Sequence, residues 1–335
     1  MIRTAILALM LSVAAGTALA NDTTAELKTG GLEFTRSGDI TMQEEKLYIS
    51  PKEVRVDYVF RNTADKPVET YVAFPMPDIT GSPDPMMDAG NTASDNFLGF
   101  SVVQDGVAIK PNLQQNIYSG DIDMTDVLVA AKVPLNPLSD KTTQAIKQLP
   151  RTTIDEWLTR GLVIAYSYDD GSGEKTDYIP MWTLKSAYWW KTTFAAGKDI
   201  HVSHKYHPSV GGTVATTFLD ENGQPKGERW DEYSKKYCID DNLVKVARRS
   251  NADMNAGKPY LVENWISYVL TTGANWLGPI GKFTLIVDKG EPDNYVSFCG
   301  TGVKKTGPTT FEMTATDFSP DKDLDILLLV PTQAP

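Results

Sequence analysis

The feature that most restricts the fold is a two-residue alternation of apolar and polar side chains in several short segments. Residues 54–60 place alternate apolar side chains on one face, and residues 68–74 do the same after a turn-forming stretch at 62–67. Alternation with this period is typical of strands that bury one face only. The two segments therefore predict an antiparallel hairpin.

Similar strand patterns, separated by turn residues about every ten positions, continue to the C terminus and predict β-sandwich packing. Helical spacing interrupts them at about 113–161 and again at about 229–249. The chain is also longer than one core usually covers. We therefore predict a mostly β fold with two β-sandwich-like domains, 21–210 with the helical insertion and 211–335 with the short helices. Gly211 and Gly212 mark the predicted hinge.

The first twenty residues predict a cleavable secretion leader. Arg3 supplies a positive start, residues 5–15 form a short apolar stretch, and Ala18-Leu19-Ala20 fits a small-x-small cleavage pattern. This stretch is too short to span a bilayer comfortably, and no later segment resembles a membrane span. We predict a water-soluble mature chain that begins at Asn21, lacks a transmembrane segment and is periplasmic or secreted.

The charge balance narrows the classes of partner. Without the leader, 31 basic side chains face 43 acidic ones, which gives a net charge of −12 with histidine neutral. A negative field of this size disfavours nucleic acid and anionic lipid surfaces. The negative charge mildly favours cationic partners or divalent metal ions. A role in keeping the chain soluble is the simpler interpretation of this charge.

The chain contains two cysteines, Cys238 and Cys299. In an oxidising compartment an even pair predicts one disulfide, and two free buried thiols are the alternative. The bond would close a loop of about 60 residues and stabilise the fold by roughly 4 kcal/mol on the chain-entropy description.

All three histidines lie within seven residues, at His201, His204 and His207. A strand places His204 on the opposite face from the other two, so this spacing does not gather a metal site. We interpret His204 as a core or interface residue bonded to a backbone group, and keep it as a candidate for ligand binding. A metal site at His201 and His207 is the alternative.

Two tryptophans are further candidates for ligand binding. Trp189 points away from the apolar face of its predicted strand, where an exposed indole could stack on a sugar ring or grip a partner. Burial against the helical insertion is the other interpretation. Trp276, beside the Gly278-Pro279 turn, is interpreted first as a structural plug and second as a ligand platform.

A loop of acidic residues is the candidate metal site. Asp169, Asp170, Glu174 and Asp177 could converge on a calcium ion, which prefers carboxylate oxygens. A solvated acidic loop is the alternative.

Two stretches of the sequence support a family resemblance. The run GLEFTRSGDITMQEEKLYISPKEVRVDYVFRN and the block ANWLGPIGKF resemble an exported bacterial family known as domain of unknown function 4424. The first half also resembles the rhythm of VIT-type β-sandwich domains, which are interaction modules. The resemblance implies no catalytic set, cofactor or ligand.

No HExxH or GxSxG motif is present in the sequence. We predict a non-catalytic binding or protein-interaction module of the cell envelope, without a cofactor, whose partner is an unknown envelope protein or a glycan. The alternatives are a small-ligand binder, for glycan or Ca²⁺, and an enzyme without a recognisable motif. A deep pocket with perturbed titratable groups would favour the enzyme.

Overall fold

The computed structural model describes residues 21–28 and 31–332, so the predicted leader lies outside the described residues. The first strands are β1 (Thr23–Lys28), β2 (Gly31–Thr35), β3 (Ile40–Ile49), β4 (Val54–Asn62), β5 (Val68–Pro75), β6 (Ile79–Thr80), β7 (Met87–Asp88), β8 (Ser101–Gln104), β9 (Val107–Ile109), β10 (Asn112–Ser119) and β11 (Ile122–Asp123). The later strands are β12 (Val163–Asp169), β13 (Glu174–Pro180), β14 (Thr183–Phe194), β15 (Asp199–Tyr206), β16 (Val210–Gly212), β17 (Leu261–Tyr268), β18 (Ile280–Asp288), β19 (Tyr295–Phe298), β20 (Lys304–Lys305), β21 (Thr310–Phe318) and β22 (Leu324–Pro331). The fold is mostly β, as predicted.

The helices are α1 (Thr125–Ala130), α2 (Asp140–Lys147), α3 (Arg151–Thr159), α4 (Glu228–Tyr237), α5 (Asp241–Asn255) and a short 3-10 helix at Thr271–Asn275. The first three form the predicted helical interruption, but it begins later than expected. Residues 112–119 form β10, which pairs with β14. Gln114, Gln115 and Asn116 follow one another in β10. Gln115 stands between Leu113 and Ile117 on what would be the apolar face, so the two-residue period is interrupted and the sequence did not reveal the strand. No described helix is long and apolar enough to cross a bilayer.

The strands of the described residues form four sheets. A seven-stranded sheet has the order β11-β10-β14-β5-β1-β2, with β6 beside β14, and an eight-stranded sheet has the order β20-β21-β18-β3-β4-β15-β8-β9. A five-stranded sheet has the order β19-β22-β17-β16-β7, and β12 and β13 pair alone.

The two largest sheets pack face to face. Phe194 of β14 meets Phe60 of β4, with ring centroids 6.2 Å apart. Phe74 of β5 meets His204 of β15 at 4.9 Å. Because β4 and β15 alternate buried and exposed side chains, each strand gives one face to this shared core.

The predicted hairpin of residues 54–60 with 68–74 is wrong. β4 pairs with β3 and β15, whereas β5 pairs with β1 and β14. The side-chain amide of Asn62 donates to the carbonyls of Lys66 and Phe194, at 2.9 and 2.8 Å, where the chain crosses between sheets. β4 and β5 therefore lie in opposite sheets, and each directs one face toward the core between those sheets.

Strands from both predicted domains share the eight-stranded sheet. β18 follows the boundary predicted at 210/211 in the sequence, yet it pairs in parallel with β3. One apolar core also takes side chains from both halves. A second, smaller core lies between the five-stranded sheet and the helices α4 and α5. The hydrogen-bonded sheets are therefore not divided at the predicted boundary.

The predicted pairing of Cys238 with Cys299 is present as a disulfide, with a sequence separation of 61 residues. Cys238 directly follows α4, where its φ of 52° ends the helix in the left-handed conformation. Cys299 directly follows β19. The bond therefore ties α4 to the edge of the five-stranded sheet.

Candidate functional site

A groove crosses the surface beside the segment that joins β6 to β7. Three adjoining clefts form it, with volumes of about 340, 620 and 550 Å³. We call them together the Met86 groove and define it by the residues that line more than one cleft, Ser82, Pro85, Met86, Met87 and Gly211. Pro85 lines all three clefts, and Met86 is 50% exposed.

Short strands hold both ends of the segment in place. β6 pairs with β14, and β7 pairs with β16. The amide of Gly81 donates to the carbonyl of Trp182 at 3.0 Å, and the amide of Gly212 donates to the carbonyl of Met86 at 2.9 Å. A preformed rim reduces the entropy that a partner loses on binding.

Glycine is required on both sides of the groove. A Cβ at Gly81 would lie 2.2 Å from the carbonyl oxygen of Pro180, and one at Gly211 would lie 2.0 Å from the indole nitrogen of Trp265. Gly211 pairs with both β7 and β17, so it is a close-packed strand residue. The sequence had suggested a hinge at this glycine.

The charges that line the groove are all negative. Four aspartates line the three clefts, and no Lys, Arg or His does so among the described residues. The four are Asp78, Asp84, Asp88 and Asp177. Clefts lined by charges of one sign focus the field and attract groups of the opposite sign.

Two of these carboxylates have basic neighbours just outside the lining. Lys185 lies 3.4 Å from Asp78, and Lys147 lies 3.0 Å from Asp177. Burial raises the pKa of Asp78, and the ammonium of Lys185 acts in the opposite direction. Asp84 and Asp88 form no ion pair within the described residues, so their charges are available to a partner.

Tyrosines from the separate β12–β13 hairpin line one end of the groove. Tyr166 and Tyr168 lie two residues apart on β12 and therefore share a face, with ring centroids 6.2 Å apart. They are 50% and 37% exposed. Tyr178 of β13 lines the same cleft and accepts a hydrogen bond from Arg151. Exposed tyrosines offer both an apolar face and a polar tip to a ligand.

Of the predicted ligand-binding residues, His204 and Trp276 lie in the core. They are 2% and 3% exposed, so neither offers a surface to a ligand. Trp276 donates its indole N–H to the carbonyl of Asp22 at 2.9 Å and packs on Phe60. This position agrees with the interpretation as a structural plug.

The partner of His204 is a carboxylate, where the sequence had suggested a backbone group. Its Nε2 lies 2.8 Å from Oδ1 of Asp22, and neither side chain is exposed. Burial raises the pKa of Asp22, and the charge and hydrogen bond of His204 oppose that effect. The rings of Phe74, Phe100, Trp190 and Tyr58 surround the imidazole.

Trp189 lies outside the Met86 groove. It is half-buried on β14, and its ring meets that of Tyr71 edge to face at 5.5 Å. Its role in ligand binding stays a prediction.

The acidic loop predicted as a metal site uses its carboxylates locally. Asp169 accepts from the backbone amides of Gly171 and Gly173, and Asp170 pairs with Lys175. Glu174 lies directly opposite Asp169 on the neighbouring strand, while Asp177 pairs with Lys147. Within the described residues no group of three or more His, Cys, Asp or Glu side chains could hold a metal ion. The geometry gives this metal prediction no support.

The sequence interpretation missed Met86, Tyr166 and Tyr168. Two signals were present: the loop at 78–96 is rich in Pro, Asp and Met, and the two tyrosines alternate with polar residues on a predicted strand. Neither signal shows that the loop at 78–96 lies next to the β12–β13 hairpin, because the two segments are distant in the sequence.

The sequence model of the family described as "Domain of unknown function (DUF4424)" matches residues 20–327. No curated protein is significantly similar. A Legionella pneumophila structure, provisionally assigned as a nutrient binding protein, is 16% identical with a TM-score of 0.44, covering 92% of this chain and 70% of its own. An M1 zinc metallopeptidase from Deinococcus radiodurans is 7% identical with a TM-score of 0.27, covering 88% of this chain and 43% of its own. These structural likenesses are too low to carry an argument about function.

Proposed function

The chain belongs to the DUF4424 family, and we propose that it is a non-catalytic binding module of the bacterial cell envelope. In this proposal the Met86 groove receives a segment of a partner protein that combines basic and apolar side chains. The leader pattern and the disulfide support an oxidising compartment outside the inner membrane.

The observation that carries the proposal is the combination of exposed apolar side chains with uniformly acidic charge. Of the large apolar side chains that are exposed, Met86, Tyr166, Tyr168 and Val214 line the three clefts. Methionine adapts its shape to different partners, and tyrosine is enriched in protein interfaces. Asp84 and Asp88 supply negative charge on either side of Met86, which favours Lys or Arg in the partner.

A peptide array tests this proposal. The array carries overlapping peptides from the host's exported proteins, and the probe is the chain beginning at Asn21. We expect the bound peptides to be enriched in Lys or Arg next to aliphatic or aromatic residues. The Met86→Lys substitution places a positive charge beside the Lys or Arg side chains of the bound peptides and removes an apolar contact. We therefore expect the affinity of the chain for these peptides to fall about tenfold or more, as for a residue near the centre of an interface.

Val129→Lys is the matched control, because Val129 is also exposed, at 59%, but lies on α1 outside the groove. This variant should bind the peptides as the wild-type chain does. Bound peptides without basic enrichment, or equal binding by the Met86→Lys variant, would contradict the proposal.

A glycan is a second candidate ligand, and the clustered tyrosines favour it. Tyr166, Tyr168 and Tyr178 line one cleft of about 550 Å³, and aromatic rings can stack on sugar rings. In that case envelope oligosaccharides should raise the melting temperature of the wild-type chain, because a ligand of the folded state stabilises it. A Tyr166→Ala, Tyr168→Ala double variant should lose this shift. No shift with any glycan would exclude the second candidate.

A further inference from the structure

The core beside His204 contains carboxylates that are only partly satisfied. Glu45 of β3 is 1% exposed, and Asp22 is fully buried. Oε1 of Glu45 and Oδ2 of Asp22 have no hydrogen-bond partner within the described residues. A buried carboxylate without a partner is costly, so such a group takes up a proton or binds a cation.

Asn21 reaches this same place. Its side-chain amide donates to Oε2 of Glu45 at 3.5 Å and accepts from the hydroxyl of Tyr58 at 2.5 Å. Its carbonyl accepts from the hydroxyl of Thr272 at 3.1 Å. The next residue is Asp22, whose carboxylate meets His204. Residues 21 and 22 are therefore built into the core by side-chain contacts from β3, β4, β15 and the 3-10 helix.

The charges of this centre do not balance. The titratable groups that face the two carboxylates are His204, Tyr58 and Tyr268. His204 is the one group among these that can become a cation, and it pairs with Asp22. Glu45 is therefore left without a positive partner in the described part of the chain.

We propose that the centre is a buried ammonium-binding site whose ligand is the α-amino group of Asn21 itself. Hydrolysis of the Ala20–Asn21 peptide bond by a leader peptidase adds the hydroxyl of water to the Ala20 carbonyl carbon and a proton to the Asn21 nitrogen. The new amine takes a second proton from solvent and becomes an α-ammonium group. This ammonium group then pairs with the carboxylate of Glu45, which the side chain of Asn21 already contacts.

This proposal rests on the predicted cleavage after Ala20 and is independent of the Met86 groove. It gives leader removal a role in stability, because the unprocessed chain has an uncharged peptide nitrogen at this position. The processed chain acquires an internal counter-ion that fastens the start of β1 between the two large sheets.

A stability cycle tests the ion pair. Two forms of the chain are released from a carrier protein by a protease that leaves no extra residue, one beginning at Asn21 and one with a single alanine before it. Both are made with the native Glu45 and with the Glu45→Gln substitution. In the native background we expect the added alanine to lower the folding equilibrium constant about tenfold or more, since it removes a buried charge partner. In the Glu45→Gln background the two forms should differ little, because no carboxylate is left to pair with the amine.

An equal effect of the added alanine in the Glu45 and Glu45→Gln backgrounds would overturn the proposal. So would an N terminus at a residue other than Asn21 in protein recovered from the envelope, as measured by mass spectrometry.

Acylation of the native chain tests the same site without a substitution. An N-hydroxysuccinimide ester modifies free α-amines at neutral pH, since their ordinary pKa is about 8. We expect the Asn21 amine to react at least tenfold more slowly in the folded chain than in urea. Reaction at the same rate in both conditions would overturn the proposal.

The pH dependence provides a third readout. With no cation beside it, burial raises the pKa of Glu45 from 4.5 to about 8. Over that pH range the folded chain keeps a proton that the unfolded chain has released, so stability falls as the pH rises. The alanine-extended form should show this fall. The form that begins at Asn21 should show a smaller fall in stability with pH, because its α-ammonium group favours the ionised Glu45 carboxylate. Identical slopes of stability against pH in the two forms would contradict the pairing.

Discussion

Replacement of His204 by alanine is expected to lower the free energy of unfolding by about 3–5 kcal/mol, the usual effect of removing one partner of a buried polar pair together with the volume of its ring. Asp22 would keep its carboxylate in the core after losing the partner that lies 2.8 Å away. The missing imidazole would also leave space among the rings of Phe74, Phe100 and Trp190. Urea titration followed by tryptophan fluorescence measures the change.

His201→Ala is the control for this prediction. His201 lies on the same strand, three residues earlier, but its side chain is exposed. An exposed substitution of this kind usually changes stability by less than about 0.5 kcal/mol. Similar losses for the two variants, or a loss below about 1 kcal/mol for His204→Ala, would contradict the pairing of His204 with Asp22.

Removal of the disulfide is expected to lower the free energy of unfolding by about 4 kcal/mol, the value for a closed loop of roughly 60 residues. The bond joins the end of α4 to the end of β19 across a separation of 61 residues. Without it the unfolded chain gains freedom in the segment that carries α5, β17 and β18. The test compares the oxidised wild-type chain with a Cys238→Ser, Cys299→Ser double variant in urea.

The two single cysteine variants serve as controls, because each breaks the same bond. Each should lose about as much stability as the double variant. A double variant as stable as the oxidised wild-type chain would contradict the expected contribution of the cross-link.

Local patterns in the sequence were sufficient for most of the long strands, with β10 as an exception, but not for their partners. Alternation at residues 54–60 correctly showed one buried face on β4. On β5 the prediction of a single buried face was wrong, because Val72, Ala73 and Phe74 are buried in succession and cover both faces of the strand. Alternation could not show that β4 and β5 lie in opposite sheets, since each strand is a suitable neighbour for several others. The parallel pairing of β18 with β3 was hidden for the same reason, because more than 200 residues separate the two strands.

The candidate site was predictable only in its parts. Outside the Met86 groove, the disulfide followed from the number of cysteines, and the burial of Trp276 agrees with its interpretation as a structural residue. The Met86 groove depends on contacts between residues 77–88, the β12–β13 hairpin and β16, and no local pattern reports such contacts. The burial of Asp22 was also hidden, since a short polar segment at the predicted start of a mature chain usually lies in solvent.

The most direct test of the binding proposal places a photo-reactive amino acid at position 86 in the living cell. If the groove receives a partner, light should cross-link the chain to a defined envelope protein through a segment that contains Lys or Arg beside apolar residues. The same amino acid at position 129 should not give this product. Equal products from both positions, or a cross-linked segment that is acidic, would contradict the proposal.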